Sequence, residues 1–249
     1  MSFFRVAGAL TCAVFGIVPP TRAVITGSSV ASYAPGGDAS LGYRTPESAL
    51  GLPNPIADPV FGNTILSPFN PPYLPGDIVI VGDGGQITLA LSQPVAPNAG
   101  PEIGVFVNNG LIDVDYPHGQ VGDPAGFFSD PPRAIVKVSA NGVDFVPLNV
   151  EPIAFDIPSN YYADLGSDPS NTTVPGSVVA DFSRPFAGTL ADFDGLNWTA
   201  VKSLLDGTAA GTWLEIGGAG LPQVNYVRFE VPSGAEFRFV LDAVTAVPE

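Results

Sequence analysis

Ala134-Ile135-Val136-Lys137-Val138-Ser139, then Ala140, then Asn141-Gly142, then Val143-Asp144-Phe145-Val146 places β-type runs on either side of a turn dipeptide. Asn-Gly tolerates the positive φ of a type I′ turn, so the segment predicts a hairpin with Ala134, Val136 and Val138 facing inward. Outward from it the same texture continues. Ile78 to Val81, Gln86 to Leu91, Ile103 to Val107 and Phe145 to Leu148 are short β-type runs bounded by Gly, Pro, Asn and Asp. Gly82-Asp83-Gly84-Gly85 reads as a tight hairpin connection between the first two, and Ile87, Leu89 and Leu91 share one face. This Gly-rich turn lacks the Gly-Lys-Ser/Thr ending of a phosphate-binding loop. Val224 to Val231 and Glu236 to Val247 close the chain around Pro232-Ser233-Gly234. Phe237, Phe239, Leu241 and Ala243 alternate with Glu236, Arg238, Val240 and Asp242, which predicts a half-buried final strand.

Spacing of this kind predicts an all-β fold, an antiparallel β-sandwich with long loops. One short helix is expected over Trp198 to Leu205. Its Trp198, Val201, Leu204 and Leu205 recur at helical spacing, Asn197 is the N-cap and Gly207 lies beyond the end. Val24 to about Pro75 is dense in turn formers and is expected to wrap the core as ordered loop. No repeat period is visible, so residues 24–246 are read as one domain.

Composition agrees. Of 249 residues, 29 are Gly and 27 Pro, 45% are apolar and 13% charged. That leaves enough apolar side chain for a sizeable core. Nine basic residues face 24 acidic ones for a net charge of −15, the opposite of a nucleic-acid binder's footprint. Residues 1–23 read as a secretory signal peptide, with Arg5 before an apolar core from Val6 to Val18 and a Thr21-Arg22-Ala23 cleavage site. Export follows, and removal takes Cys12, the single cysteine, with it. No later stretch is long and apolar enough to span a bilayer, so no membrane span is expected after processing.

Catalytic templates fail on inventory. The one histidine, His118, lies in a Tyr-Pro-His-Gly turn, and there is neither a metalloprotease helix motif nor a nucleophile elbow. Acids are plentiful enough for a glycosidase pair, but sequence does not give their separation. The expectation is a non-catalytic protein. Acidic loops could hold calcium through carboxylate and carbonyl oxygens. Asp113-Val114-Asp115 and Asp192-Phe193-Asp194-Gly195 read as turns because neither continues into a twelve-residue calcium loop. Asp242, inside the final strand, is the better candidate ligand. For a glycan, Tyr161 and Tyr162 are the candidate stacking residues; Trp198 and Trp213 sit in apolar patterns and read as core.

The stretch Ala180-Asp181-Phe182-Ser183-Arg184-Pro185-Phe186-Ala187-Gly188-Thr189-Leu190, with Asp192-Phe193-Asp194-Gly195-Leu196, Gly211-Thr212-Trp213-Leu214-Glu215-Ile216 and Ala246-Val247-Pro248-Glu249, resembles bacterial exported proteins of the PEP-CTERM class. Gly84 to Leu89, Gly104 to Asn108 and Val136 to Phe145 are similar to segments of the surface β-sandwiches that carry that tag. The resemblance spans about Tyr33 to Glu249. It implies a jelly-roll or galactose-binding-like sandwich at the cell surface or in the extracellular matrix, with a structural or adhesion role and extracellular polysaccharide as partner. The alternative is a carbohydrate-binding module with a defined glycan ligand. Residues 247–249 would begin the sorting tag, of which the last Pro, apolar helix and basic cluster are not in this sequence. Leu241-Asp242-Ala243-Val244 also looks like the final strand of jelly-roll carbohydrate-binding modules. That likeness implies a structural calcium on Asp242, with Asp38 as a loop acid approaching it.

Overall fold

The computed structural model describes residues 24–58, 62 and 64–248. The expected signal peptide over residues 1–23 and Glu249 lie outside the described residues. The strands are β1 (Ile25–Ala34), β2 (Ile56–Asp58), β3 (Thr64–Ile65), β4 (Val79–Val81), β5 (Gln86–Val95) and β6 (Ile103–Val107), followed by β7 (Arg133–Ser139), β8 (Val146–Pro147), β9 (Ile153–Ala154), β10 (Thr212–Leu214), β11 (Val224–Glu230) and β12 (Phe239–Ala246). One α-helix, α1 (Trp198–Leu205), is present among the described residues.

The expected all-β antiparallel fold is what forms. Strands run β10-β6-β12-β1-β5-β11-β7-β8 in one large sheet, with β4 added to β12 and β9 to β7. The sheet curls because β1 serves both halves: Ile25 and Thr26 pair with β12, and Gly27 to Ala34 pair with β5. Inner faces of the two halves then share one apolar core. Val79, Val105, Leu241 and Val244 come from one side, and Ile87, Leu89, Val136, Val138, Val227 and Phe229 from the other. Phe229 stacks on Phe239 at 4.6 Å across the halves, and Phe155 meets both. Apolar side chains buried this way supply the main stabilising term, roughly 1.5–3 kcal/mol each.

Several elements depart from expectation. β1 forms where ordered loop was expected; two register shifts blur its period, so Ser- and Gly-rich Ile25–Ala34 does not alternate cleanly. Asn141-Gly142 does not make a two-residue type I′ turn. Lys137 pairs with Pro147 and Val138 with Val146, which leaves a longer loop from Ala140 to Phe145. The Asn141 side chain explains this, since its Oδ1 accepts from the amides of Val143 and Asp144, both at 2.9 Å. Only Gly142 takes positive φ there, at 77°. Gly82 to Gly85 is not a hairpin either. It carries the chain from β4, which pairs β12, to β5, which pairs β1 and β11. Loop 35–39 lies so close that a Cβ on Gly82 would fall 1.7 Å from the Gly37 carbonyl oxygen.

The final strand is buried on both faces rather than half-buried. Its outer face is covered by two loop-borne clusters. Phe182, Ala180 and Ala209 pack over Phe106 and Ala243, while Ala39 packs over Ile78, Ile80 and Val240. A further cluster, built on α1 through Trp198, Val201 and Leu205 with Phe69, Phe186 and Phe193, gives the long loops their own core. α1 itself follows the sequence. Asn197 accepts from the Ala200 amide at 3.0 Å, and Gly207 beyond the end has φ of 77°. No described helix is long and apolar enough to cross a membrane.

Candidate functional site

Between the two outer coverings the strand carries one acid. The β6 partner advances by only one residue, from Val107 to Phe106, while β12 advances from Leu241 to Ala243. Asp242 is therefore the extra residue of a bulge, a position that re-aims a side chain. It is 1% exposed, and neither carboxylate oxygen has a hydrogen-bond partner. Burial pushes its carboxyl well above the ordinary carboxylate range, and the charge of Asp77 pushes the same way. Asp77 ends the turn that feeds Ile78 and β4 beside β12; it is 7% exposed. Asn54 Nδ2 donates to its Oδ1 at 2.9 Å, while its Oδ2 has no partner. Burial raises the Asp77 carboxyl too, partly offset by the Asn54 bond.

Two neighbouring buried carboxylates with three unsatisfied oxygens form an arrangement that water, a proton or a cation must complete. Oxygen donors of this hardness suit calcium or magnesium rather than a soft metal. Calcium needs about six to eight oxygens, and among the described residues no group of three or more His, Cys, Asp or Glu converges. The two carboxylates alone fall short of that number.

The acid whose charge acts on Asp242 is Asp77, not the expected Asp38. Asp38 stands exposed in its loop at φ of 57°. Asp77 was not singled out from sequence because an acid before an apolar run reads as a solvated turn residue. Other acids are occupied with backbone. Asp113 accepts from the amides of Asp115, Gly119 and Gln120 and from the Ser170 hydroxyl; burial opposes its charge, but these bonds hold its carboxyl below the ordinary range. Asp192 forms a capping box with Thr189, and Asp194 accepts from the Ala125 amide. His118 is exposed, with Nδ1 3.2 Å from Asp168.

Tyr161 and Tyr162 are half-buried and meet edge-on at 4.9 Å, and Tyr161 also meets Phe182 at 5.5 Å. Burial raises the Tyr161 hydroxyl, with Tyr162 adding to the shift. The pair packs between two loop clusters instead of presenting two open plates. Trp198 and Trp213 are packed, with indole N–H groups bonded to the carbonyls of Gly166 and Ala210.

Beside Asp77 a cleft of about 480 Å³ opens on the outer face of the sheet. Ile78, Ile80 and Val240 form its apolar floor, and Tyr43, Tyr73 and Phe237 contribute aromatic walls. The Tyr43 hydroxyl donates to the Tyr73 carbonyl at 2.8 Å and ties two loops together. No protein-family model and no curated protein matches the chain.

Proposed function

We propose that the chain is a non-catalytic exported β-sandwich that acts at the bacterial surface or in its extracellular matrix as a structural or adhesion component. The observation that carries this reading is the Asp77–Asp242 pair. Two buried acids of like charge with unpartnered oxygens are a burden in a calcium-poor compartment and an asset where calcium is abundant, and extracellular modules bind calcium at about 10⁻⁴–10⁻³ M. Calcium held by Asp77 and Asp242 would supply the missing positive charge and tie the turn before β4 to the central strand. The signal-like residues 1–23 and the acidic balance, 7 basic against 24 acidic residues once Arg5 and Arg22 are removed, support the same assignment. Expression in a secreting bacterium tests it. The chain recovered outside the cells should begin at Val24; retention inside the cell with Met1 in place overturns the reading.

The second reading, a carbohydrate-binding module, is supported by the cleft. Its volume lies within the roughly 300–1,000 Å³ of small-molecule sites, and it combines aromatic walls with polar rim groups.

A further inference from the structure

The cleft's rim holds four polar side chains that the fold leaves uncommitted. Among the described residues, Asn108, Asp130, Glu236 and Arg238 line the opening, and none of these side chains has a hydrogen-bond or ion-pair partner in the protein. Exposed acids without a partner occur elsewhere too, Asp38 and Asp123 among them, but these four polar side chains converge on one cleft. Their convergence sets hydrogen-bonding capacity around an apolar floor.

The ligand class follows from the balance of charges. A cationic ligand would meet the Arg238 guanidinium, and an anionic one would meet Asp130 and Glu236 on a chain of net charge −15. A neutral ring rich in hydroxyls conflicts with neither. Its vicinal hydroxyls suit carboxylate, amide and guanidinium partners, and its C–H face suits Tyr43, Tyr73 and Phe237. We infer that this cleft binds a segment of a neutral pyranose polysaccharide, with Asp130, Arg238 and Asn108 taking hydroxyls and the aromatic walls holding the ring. The inference rests on the carbohydrate-binding reading and replaces Tyr161 and Tyr162 as the site.

Titration calorimetry of the full chain against cellohexaose, xylohexaose, mannohexaose and chitohexaose, with polygalacturonate as the charged comparison, is the test. At least one neutral oligosaccharide should bind saturably. Asp130→Ala and Arg238→Ala should each weaken it about tenfold or more, equivalent to one good hydrogen-bonded contact. Both side chains are exposed, so melting temperatures should not change. Binding that survives both substitutions but is lost in Tyr161→Ala overturns the cleft and leaves the carbohydrate-binding reading standing. Saturable binding of polygalacturonate alone overturns the neutral class. Absence of any saturable binding sinks the cleft and the carbohydrate-binding reading together, while the exported structural reading is judged separately by the secretion test.

Discussion

Asp242 and Asp77 give the fold one limb of its pH dependence. Both carboxyls titrate above their ordinary range in the folded chain, so the native state holds their protons more tightly than the unfolded one. In chelator, that contribution is complete below the ordinary carboxylate pKa of about 4 and is lost as pH rises through the raised values. The melting temperature without calcium should therefore rise as pH falls from neutral toward that range. Below it the trend should reverse. Asp113, Asp192 and Asp164, the last lowered to about 2, stabilise the fold only while ionised, and they lose that contribution as pH drops through their folded values. A scan of melting temperature against pH with and without calcium checks both limbs, and saturating calcium should flatten the first. Asp242→Asn removes the buried charge with little change of shape. It should melt above the parent in chelator at neutral pH and show no response to calcium; a parent-like calcium response in this variant would exclude the acid pair as the site.

At the scale of elements, local chemistry can be tested one piece at a time. Asn197→Ala deletes the cap of α1 and should cost about 1 kcal/mol, read as a fall in the denaturation midpoint at unchanged slope. Gly82→Ala has no room beside Gly37 and should destabilise far more, or prevent accumulation of folded protein. α1 was legible in sequence to its cap and its stop, because helical spacing and capping are both local signals. The inward set Ala134, Val136 and Val138 was legible for the same reason. Pairing was not. Asn141-Gly142 advertises a two-residue turn, yet the Asn141 side-chain Oδ1 organises a wider one. Gly82 to Gly85 looks like a hairpin until loop 35–39 docks on it. The alternation in β12 describes a strand with one wet face, and only loops distant in sequence, through Phe182 and Ala39, make it dry on both.

On the scale of the whole molecule, calcium binding to the native state alone must raise stability by about 2.7 kcal/mol at a hundredfold excess over Kd. For a chain of this size that is roughly 5–10 °C in melting temperature. Calorimetry with calcium and with chelator measures it, and identical melting curves would remove calcium from the account. Phe239→Ala empties the contact with Phe229 and Phe155 where the two halves meet and should cost about 3–5 kcal/mol. Asp242 was visible in the sequence as a strand acid, but its partner Asp77 and the cleft beside it were not. Both depend on β4 joining β12, and no local pattern encodes that pairing.

Ile25 faces Ala246 in the ladder between β1 and β12, so the amino and carboxyl ends of the folded body emerge side by side. A tether attached to the tail would grip the domain through a strand flanked by β4, β6 and β1. Force applied between the two ends would load the β1–β12 ladder at its Ile25–Ala246 edge and open it bond by bond. That seam is short, since only Ile25 and Thr26 of β1 pair with β12, so it is where such a load would part the fold first.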